Sequence, residues 1–410
     1  MELNVFLYLS AIFLAAFVMK GVTGKLKIPE VTGYVLVGVM LGVSVLRLLS
    51  SSVLDHLSSV STIALGIIAF IIGVELRIDV IKKLGKTILF IVLFECLTAF
   101  AFVYIGIMLL FPGNPETALL LGAVASATAP AATVAVIKQY GARGPLTSTI
   151  MAVVGIDDAM ALIIYVIASA FVKASIIGGQ VHVSKIILST LVSIGESLAL
   201  GVFAAFLFGI ILKKSRSTDW IRLLLAATIL GLLGLSELLG CSELLAVMVF
   251  GAMMINRFPV LGKKSGSIID DLSPYFLAAF FILGGAHLDL RSISKIGVMG
   301  LAYFGLRSSG KIGGASLGAI LGKAPKNVRN NIGLALLPQV GVALALALSI
   351  NKEFTKPEYG SAGAGMASAI INILLFTTVI TEVVGPLLTR FALRRSGEAK
   401  GSSEHAPQGG

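Results

Sequence analysis

The chain has 410 residues, of which 57% are hydrophobic and 13% are charged, and its mean hydropathy is +0.98. Soluble globular proteins carry about 25% charged residues, so this composition excludes an ordinary soluble domain and indicates a polytopic membrane protein. The formal net charge of +11 would suggest a nucleic-acid partner if the basic residues formed one patch.

Apolar segments recur from one end of the chain to the other. A helix needs about 20 residues to cross roughly 30 Å of hydrocarbon, and thirteen segments approach that length. They are long, rich in glycine and without alternation, which predicts an all-α membrane protein of about 13 transmembrane helices rather than a β-barrel. The predicted spans lie near residues 4–20, 30–49, 57–77, 86–111, 116–138, 145–173, 185–212, 218–239, 242–256, 272–290, 296–322, 328–350 and 360–389.

The distribution of the basic residues predicts the topology. With thirteen spans and the N-terminus outside, 23 of the 32 Lys and Arg residues lie in cytoplasmic loops and tails, seven lie on the opposite side and two fall inside a span. The positive-inside rule then places the N-terminus outside and the C-terminus in the cytoplasm. Topology therefore explains the net charge, no nucleic-acid partner is expected, and the expected location is the cell (inner) membrane.

The two ends of the chain and its two cysteines give little indication of function. The first apolar run lacks a basic n-region and an A-x-A-like site, which predicts a retained helix. Residues 1–395 are predicted to form one transmembrane unit, and residues 396–410 a short polar cytoplasmic tail. Cys96 and Cys241 show no CxxC or CxxCH spacing, which favours inert packing thiols, and no cofactor is expected.

Three weak internal matches recur in the same order. "IPEVTGYVLVGVML" resembles "CSELLAVMVFGAMM", "AFIIGVELRI" resembles "FFILGGAHLDL", and a proline follows in mid-span in each copy. The matched pairs, at spacings of 208 to 213 residues, are Glu30 with Glu243, Gly38 with Gly251, Phe70 with Phe281, Gly73 with Gly284 and Pro130 with Pro338. Repeat one covers about 28–173 and repeat two about 241–391, with linker helices at about 185–239. Each repeat holds five spans, an odd number, so the two copies are predicted to be inverted.

A proline in mid-span removes a backbone hydrogen bond and kinks or breaks the helix. Ser126, Thr128 and Thr133 near the first break are able to re-satisfy freed backbone groups, and this structural interpretation stays open because membrane helices tolerate proline in this way. The equivalent positions of Pro130 and Pro338 instead predict two discontinuous helices that cross near the bilayer centre and form an ion or substrate site.

Two adjacent acids lie on the span after the first break. Asp157 and Asp158 are the only charged residues from Pro145 to Val172, and ionisable residues inside a membrane indicate function by default. Lys311, mid-span among glycines, is the predicted cationic partner. Adjacent helical residues point about 100° apart, so one carboxylate is expected to face an aqueous cavity and the other a neighbouring helix. A purely structural pair of Asp157 and Lys311 is the alternative.

Two carboxylates and one ammonium in a low-dielectric site titrate as a coupled set. Such a set predicts that a proton and a hard monovalent cation compete for one place, which is the basis of exchange without ATP. Oxygen ligands from Asp158, with Asp157, Thr128 and freed carbonyls, suit Na+ or Li+. The surplus acid predicts electrogenic exchange, with more than one proton moved per cation.

In order along the chain, the motifs resemble those of monovalent cation:proton antiporters of the NhaA fold, in the paired-aspartate branch of sodium/proton antiporters. They cover almost the whole chain and are "IPEVTGYVLVGVMLG", "FIIGVELRI", "SATAP", "GIDD", "GKIGG" and "LLPQVGVALALAL". The resemblance implies a homodimer in membrane lipid, built from interleaved dimerisation and six-helix core domains, with an elevator-like motion of the core.

By motif position, the resemblance implies that Asp158 is the main ion-binding carboxylate and that Asp157 is the partner of the core lysine, Lys311. One departure limits the transfer of roles. Many relatives carry "PRGE" at the second break, where this chain has "PQVGV" around Gln339, so ligand and selectivity details of that segment are not carried over.

Two further residues and two other function classes stay open. Arg307, one turn before Lys311, is expected to pair with an acid or to position the lysine, and Glu382 in the last span is a minor candidate. A potassium/proton antiporter or potassium-efflux transporter fits the same motifs, although no nucleotide-binding regulatory domain is attached. An intramembrane aspartyl protease also uses two membrane aspartates, but on separate helices in "YD" and "GxGD" contexts that this chain lacks, so no enzyme is expected.

Overall fold

A computed structural model of the chain shows helices and no strands in the residues that it describes, which confirms the all-α prediction. The described residues are 4–26, 30–129, 133, 134, 136, 137, 140–177, 183–212, 217–288, 293–339 and 341–399. Pro130 lies outside this set, and nothing is described of the Glu382 side chain.

The described residues form a series of α-helices, and a 3₁₀ turn, Pro357–Tyr359, precedes the last of them. In chain order they are α1 (Val5–Leu26), α2 (Glu30–Leu41), α3 (Ser51–His56), α4 (Ser58–Glu75), α5 (Ile78–Leu110), α6 (Pro115–Ala125), α7 (Pro145–Ile177), α8 (Val183–Ile211), α9 (Thr218–Leu239), α10 (Glu243–Arg257), α11 (Pro259–Ala286), α12 (Ile293–Leu321), α13 (Lys326–Ala335), α14 (Gly341–Phe354) and α15 (Gly360–Arg395).

Eight helical segments within the described residues are long and apolar enough to cross a membrane. They are Val5–Lys25, Ser58–Glu75, Gly85–Leu110, Pro145–Ile176, Leu191–Ile211, Thr218–Leu239, Pro259–Ala286 and Pro357–Thr378. A multi-pass membrane protein is therefore confirmed. The count of thirteen spans stays a prediction, because α2, α6, α10, α13 and α14 are shorter than a full span and α12 is long but less apolar.

Local chemistry explains several helix boundaries. Ser217 caps the start of α9 by accepting a hydrogen bond from the backbone N–H of Trp220, and Gly240 ends the helix with φ +69°, a left-handed conformation that favours glycine. Gly85 interrupts α5 with φ +73°, so the apolar part of α5 begins where the predicted span of 86–111 begins.

Several boundaries differ from the prediction, among them the end of α2, at Leu41 instead of residue 49, and the start of α11. Helix α11 begins at Pro259, whereas the apolar run in the sequence predicts a span that begins near residue 272. Proline is favoured in the first turn of a helix, because its missing N–H has no intrahelical acceptor there. The first half of α11 carries charged residues such as Lys263 and Asp270, so its helical structure is not matched by high hydropathy.

The chain divides into two compact units, each assembled from three segments. Unit 1 comprises residues 1–82, 162–298 and 344–376, and unit 2 comprises residues 83–161, 299–343 and 377–410. Both units draw residues from both predicted repeats, and the assignment of interleaved core and dimerisation domains stays a prediction.

Helix contacts inside unit 1 support the internal repeat. Gly38 of α2 packs directly against the backbone of Ile282 in α11, and the repeat equivalent of Gly38, Gly251 of α10, packs against the backbone of Phe70 in α4. The sequence matches relate α2 to α10 and α4 to α11, so the two contacts are equivalent, and each joins a helix of one repeat to a helix of the other. A β-carbon at either glycine would collide with that backbone, which explains why both positions are glycine.

The predicted polar tail is not wholly solvated. Glu398, in the segment predicted as tail, is only 9% exposed, because its side chain is hydrogen-bonded to the first turn of α7. Glu398 and the first turn of α7 both belong to unit 2.

Candidate functional site

The two helix breaks meet in unit 2. Helix α6 ends at Ala125 and α13 ends at Ala335, and each is followed by non-helical residues. The backbone N–H of Ala129 in the first break donates a hydrogen bond of 2.8 Å to the carbonyl of Pro338 in the second. Thr133 donates from its hydroxyl to the carbonyl of Ala335 at 3.1 Å. The predicted meeting of the two breaks is therefore present.

Arg307 of α12 satisfies carbonyls that the two breaks leave without helical partners. Its guanidinium donates to the carbonyls of Ala125 (3.2 Å) and Ala127 (2.8 Å) in the first break and of Leu337 (2.8 Å) in the second. The side chain is fully buried. Arg307 thus ties the two breaks together, rather than pairing with an acid as one of the sequence expectations had it.

Lys311, one turn further along α12, is also fully buried and faces the first break. Its ammonium donates to the carbonyl of Ser126 at 2.5 Å and to the hydroxyl of Thr128 at 2.8 Å. Its Nζ atom lies 2.6 Å from Oε2 of Glu95 and 3.7 Å from Oδ2 of Asp157. The predicted pair of Lys311 with Asp157 exists, but a different acid lies closer to the lysine.

Glu95 of α5 is a residue of this cluster that the sequence motifs did not predict. It is fully buried, and it is the only charged residue in the predicted span of 86–111 apart from Lys86 at its edge. A lone ionisable residue inside a span is a signal of function, so the residue type and position were sufficient to single it out. Its partner could not be read from a local motif.

Glycines on α12 explain how α5 comes so close to Lys311. Gly310, Gly314 and Gly318 of α12, and Gly322 directly after its last residue, recur every four residues, which places them on one side. Each packs against the α5 backbone, where a β-carbon would meet atoms at 2.5 to 2.8 Å. Close backbone approach is the general use of small residues between membrane helices, and here it brings an acid and a lysine together.

The paired aspartates of α7 are both shielded from solvent in this conformation, Asp157 at 0% and Asp158 at 4% exposure. The expectation that one of them faces an aqueous cavity is therefore not met in this conformation. Asp157 is the nearer of the two to the lysine. An unpaired charge is costly in a low-dielectric interior, so the nearby Lys311 ammonium compensates the charge of Asp157.

The remaining predicted site residues support the break. The hydroxyl of Ser126 donates to the carbonyl of Cys96 at 3.0 Å, and Cys96 donates from its thiol to Oε1 of Glu95 at 3.1 Å. Gln339 donates from Nε2 to the carbonyl of Val124 at 2.9 Å and to the hydroxyl of Tyr303 at 2.9 Å. Cys96, interpreted from the sequence as a packing thiol, therefore lies within the site.

A separate cavity of about 360 Å³ lies within unit 1. Its charged lining residues form ion pairs, with Nζ of Lys173 at 2.7 Å from Glu353 and Nζ of Lys352 at 2.9 Å from Glu243. The acids and lysines balance each other there. This cavity therefore lacks the excess of carboxylates that distinguishes the buried cluster in unit 2.

Comparisons with known proteins agree with these features. The family model described as sodium/hydrogen exchanger, transmembrane, matches residues 12–395. No curated protein sequence gave a significant match. A structure of the sodium proton antiporter MjNhaP1 from Methanocaldococcus jannaschii at pH 8 superposes with a TM-score of 0.78 and 20% identity, covering 95% of this chain and 98% of that one.

A second structure of the same antiporter, an electron-microscopy map, gives a TM-score of 0.73 at 20% identity over 96% of this chain and 98% of that one. These matches confirm the antiporter fold, with MjNhaP1 as the matched structure in place of the NhaA fold expected from the motifs. Because the family model spans almost the whole length, the chain belongs to the sodium/hydrogen exchanger family.

Proposed function

We propose that this cation:proton antiporter exchanges Na+ or Li+ for protons across the cell membrane, and that Asp158 binds the cation and the proton in turn. Cation:proton antiport follows from the family, and the role of Asp158 is our inference. The observation that carries it is the buried cluster of Glu95, Asp157, Asp158, Arg307 and Lys311 beside the contact between the two helix breaks.

The charges of the cluster favour competition between one cation and protons. Three carboxylates and two basic groups sum to a net charge of −1 when all are ionised. One bound monovalent cation brings this sum to zero, and protons neutralise the same carboxylates, so the cation and the protons compete for them. Carboxylate and carbonyl oxygens are the ligands that hard cations prefer.

Transport further requires that the site opens to each side of the membrane in turn. Asp158 is buried in the present conformation, so a rearrangement must expose it before a cation enters or leaves. We propose that this takes place in a homodimer in the cell (inner) membrane, with the N-terminus outside. No ATP or cofactor enters this scheme, because the gradient of one ion drives the other.

The alternatives receive less support. The family is named for sodium/hydrogen exchange, which does not favour a potassium/proton antiporter or a potassium-efflux transporter. A protease is also disfavoured, because adjacent aspartates on one helix do not readily flank a peptide bond, and the related proteins are transporters.

Asp158→Asn tests the assignment, because it keeps the size of the side chain and removes both its charge and its proton site. In proteoliposomes, wild-type protein should move protons when NaCl or LiCl is added, more than with KCl, and Asp158→Asn should abolish this flux while the protein still inserts. Asp219→Asn, the same change at an exposed acid of α9, is the matched control and should leave the flux unchanged. Wild-type apparent affinity in Asp158→Asn would disprove the assignment.

A further inference from the structure

We infer that Glu95 is a positioning residue of the transport site, which holds the Lys311 ammonium against α5 and thereby leaves Asp157 available to the transported cation. The inference rests on the proposed function, because it concerns the same site. It differs from the role that the motif resemblance implies for Asp157, which is that of the partner of the lysine.

The groups around the Lys311 ammonium show that Glu95 is its closest acid. An ammonium has three N–H donors, and three acceptors lie within hydrogen-bond distance of Nζ: Oε2 of Glu95 at 2.6 Å, the carbonyl of Ser126 at 2.5 Å and the hydroxyl of Thr128 at 2.8 Å. Oδ2 of Asp157, at 3.7 Å, lies beyond that distance. The lysine thus donates two hydrogen bonds to the first break and forms its closest ion pair with Glu95, and it makes no hydrogen bond to Asp157.

The position of Glu95 is itself held by the packing of α5. Cys96, the next residue, donates from its thiol to the other carboxylate oxygen, Oε1, at 3.1 Å. Gly310 and Gly314, which flank Lys311 on α12, bring the two helix backbones into direct contact. Glu95 is therefore a fixed anchor for the lysine, with no exposed surface from which water could replace it.

Loss of Glu95 is expected to make Lys311 a competitor of the transported cation at Asp157. Without the Glu95 carboxylate, Asp157 becomes the nearest acid to Lys311, and the ammonium gains by moving toward it. The cation would then have to displace a lysine from Asp157 before binding. Loss of Glu95 should therefore weaken cation binding more than it slows the conformational cycle, which is a KM effect more than a kcat effect.

The test uses the full-length protein and Na+ as the probe, with binding measured as Na+-dependent thermal stabilisation and exchange measured in proteoliposomes. Glu95→Gln should raise the apparent KM and the half-maximal Na+ concentration about tenfold while kcat changes little. Glu95→Asp keeps the net charge but draws the carboxylate back by one methylene, and should raise both values by about threefold. No rise in Glu95→Asp would show that Glu95 acts through net charge alone and would overturn positioning.

A double variant supplies the matched control. Glu95→Gln with Lys311→Gln removes both the anchor and the competitor and keeps the summed charge of the cluster, so Na+ binding should return to within about threefold of wild type. A double variant that binds Na+ more than about threefold more weakly than wild type overturns the inference, and this comparison with wild type remains if Glu95→Gln alone fails to fold. Absence of Na+-dependent proton flux in wild type would instead refute the proposed function, whereas an active wild type with unchanged KM in Glu95→Gln refutes only the role of Glu95.

Discussion

Glu398 accepts two hydrogen bonds from Thr147, one from the backbone N–H and one from the hydroxyl, both at 2.7 Å. Its other oxygen accepts from the backbone N–H of Leu146 at 2.8 Å. These N–H groups lie in the first turn of α7, where no helical acceptor exists for them. A residue beyond the last helix therefore caps the helix that carries the paired aspartates.

The cap predicts a stability cost when Glu398 is removed. Glu398→Ala should lower the free energy of unfolding by about 1–2 kcal/mol, as is typical for loss of a helix N-cap, and Glu398→Gln should cost less because the amide oxygen still accepts. Thermal unfolding in detergent measures this. Asp271→Ala, at an exposed acid of α11, should not shift the transition, and an equal shift in both variants would contradict the cap.

A glycine pair on α12 gives the next prediction. Gly314→Ala would place a β-carbon 2.5 Å from the carbonyl oxygen of Phe94 and 2.8 Å from Cβ of Thr98, so α12 must move away from α5. Overpacking of this kind costs about 1–3 kcal/mol. The shift also separates Lys311 from Glu95, so we expect lower thermal stability together with weaker Na+ affinity.

The adjacent glycine is the matched control for this change. A β-carbon at Gly313 would have no atom within 4 Å, and alanine is favoured over glycine in a helix by about 1 kcal/mol. Gly313→Ala should therefore leave stability unchanged or raise it, with wild-type exchange. If Gly313→Ala is as harmful as Gly314→Ala, the close approach of α12 to α5 is not the cause.

The hydrogen bonds of Arg307 predict a loss of stability when the residue is replaced, even when the replacement is lysine and the positive charge is kept. Its three hydrogen bonds reach both breaks because a guanidinium is a planar fork with several donors. Arg307→Lys keeps the charge but should leave one or two buried carbonyls without donors, at about 1–3 kcal/mol each. Lower thermal stability of the lysine variant is the expected result, and wild-type stability would show that water replaces the missing donors.

Most of the candidate site could be predicted from residues that are unfavourable in an apolar membrane helix. Prolines and aspartates inside apolar runs are costly unless they have a function, so Pro338, Asp157 and Asp158 stand out without a structure. The same reasoning applies to Lys311 and Arg307. Their meeting place followed from the repeat, because equivalent breaks in two inverted copies are expected to cross.

The partners across the fold could not be predicted in the same way. Glu95 meets Lys311 only because glycines let α5 and α12 touch, and a helix register is not visible in either segment alone. Glu398 caps α7 across 251 residues of chain, a distance over which no local pattern acts. The polar first half of α11 was missed because hydropathy reports burial in lipid and does not measure helix formation.

The last prediction is that exchange is electrogenic, and it rests on the number of buried acids. With a net charge of −1 in the ionised cluster, one bound cation gives zero, whereas two bound protons give +1. Exchange of two protons for one cation therefore moves one net charge in each cycle, and a membrane potential of 100 mV contributes about 2.3 kcal/mol for that charge. If only Asp158 exchanged its load, one proton for one cation, the cycle would be neutral.

Two measurements separate these cases. In proteoliposomes an imposed potential should accelerate or reverse exchange, and solid-supported-membrane recordings should show a current on a Na+ jump. Lys311→Gln removes one buried positive charge and leaves Asp157 without its nearby cation, so the second proton becomes bound in both halves of the cycle and the current should weaken or vanish. A wild-type protein that exchanges Na+ for protons without current, and with no response to the potential, would show that the surplus acids serve stability and do not carry a second proton.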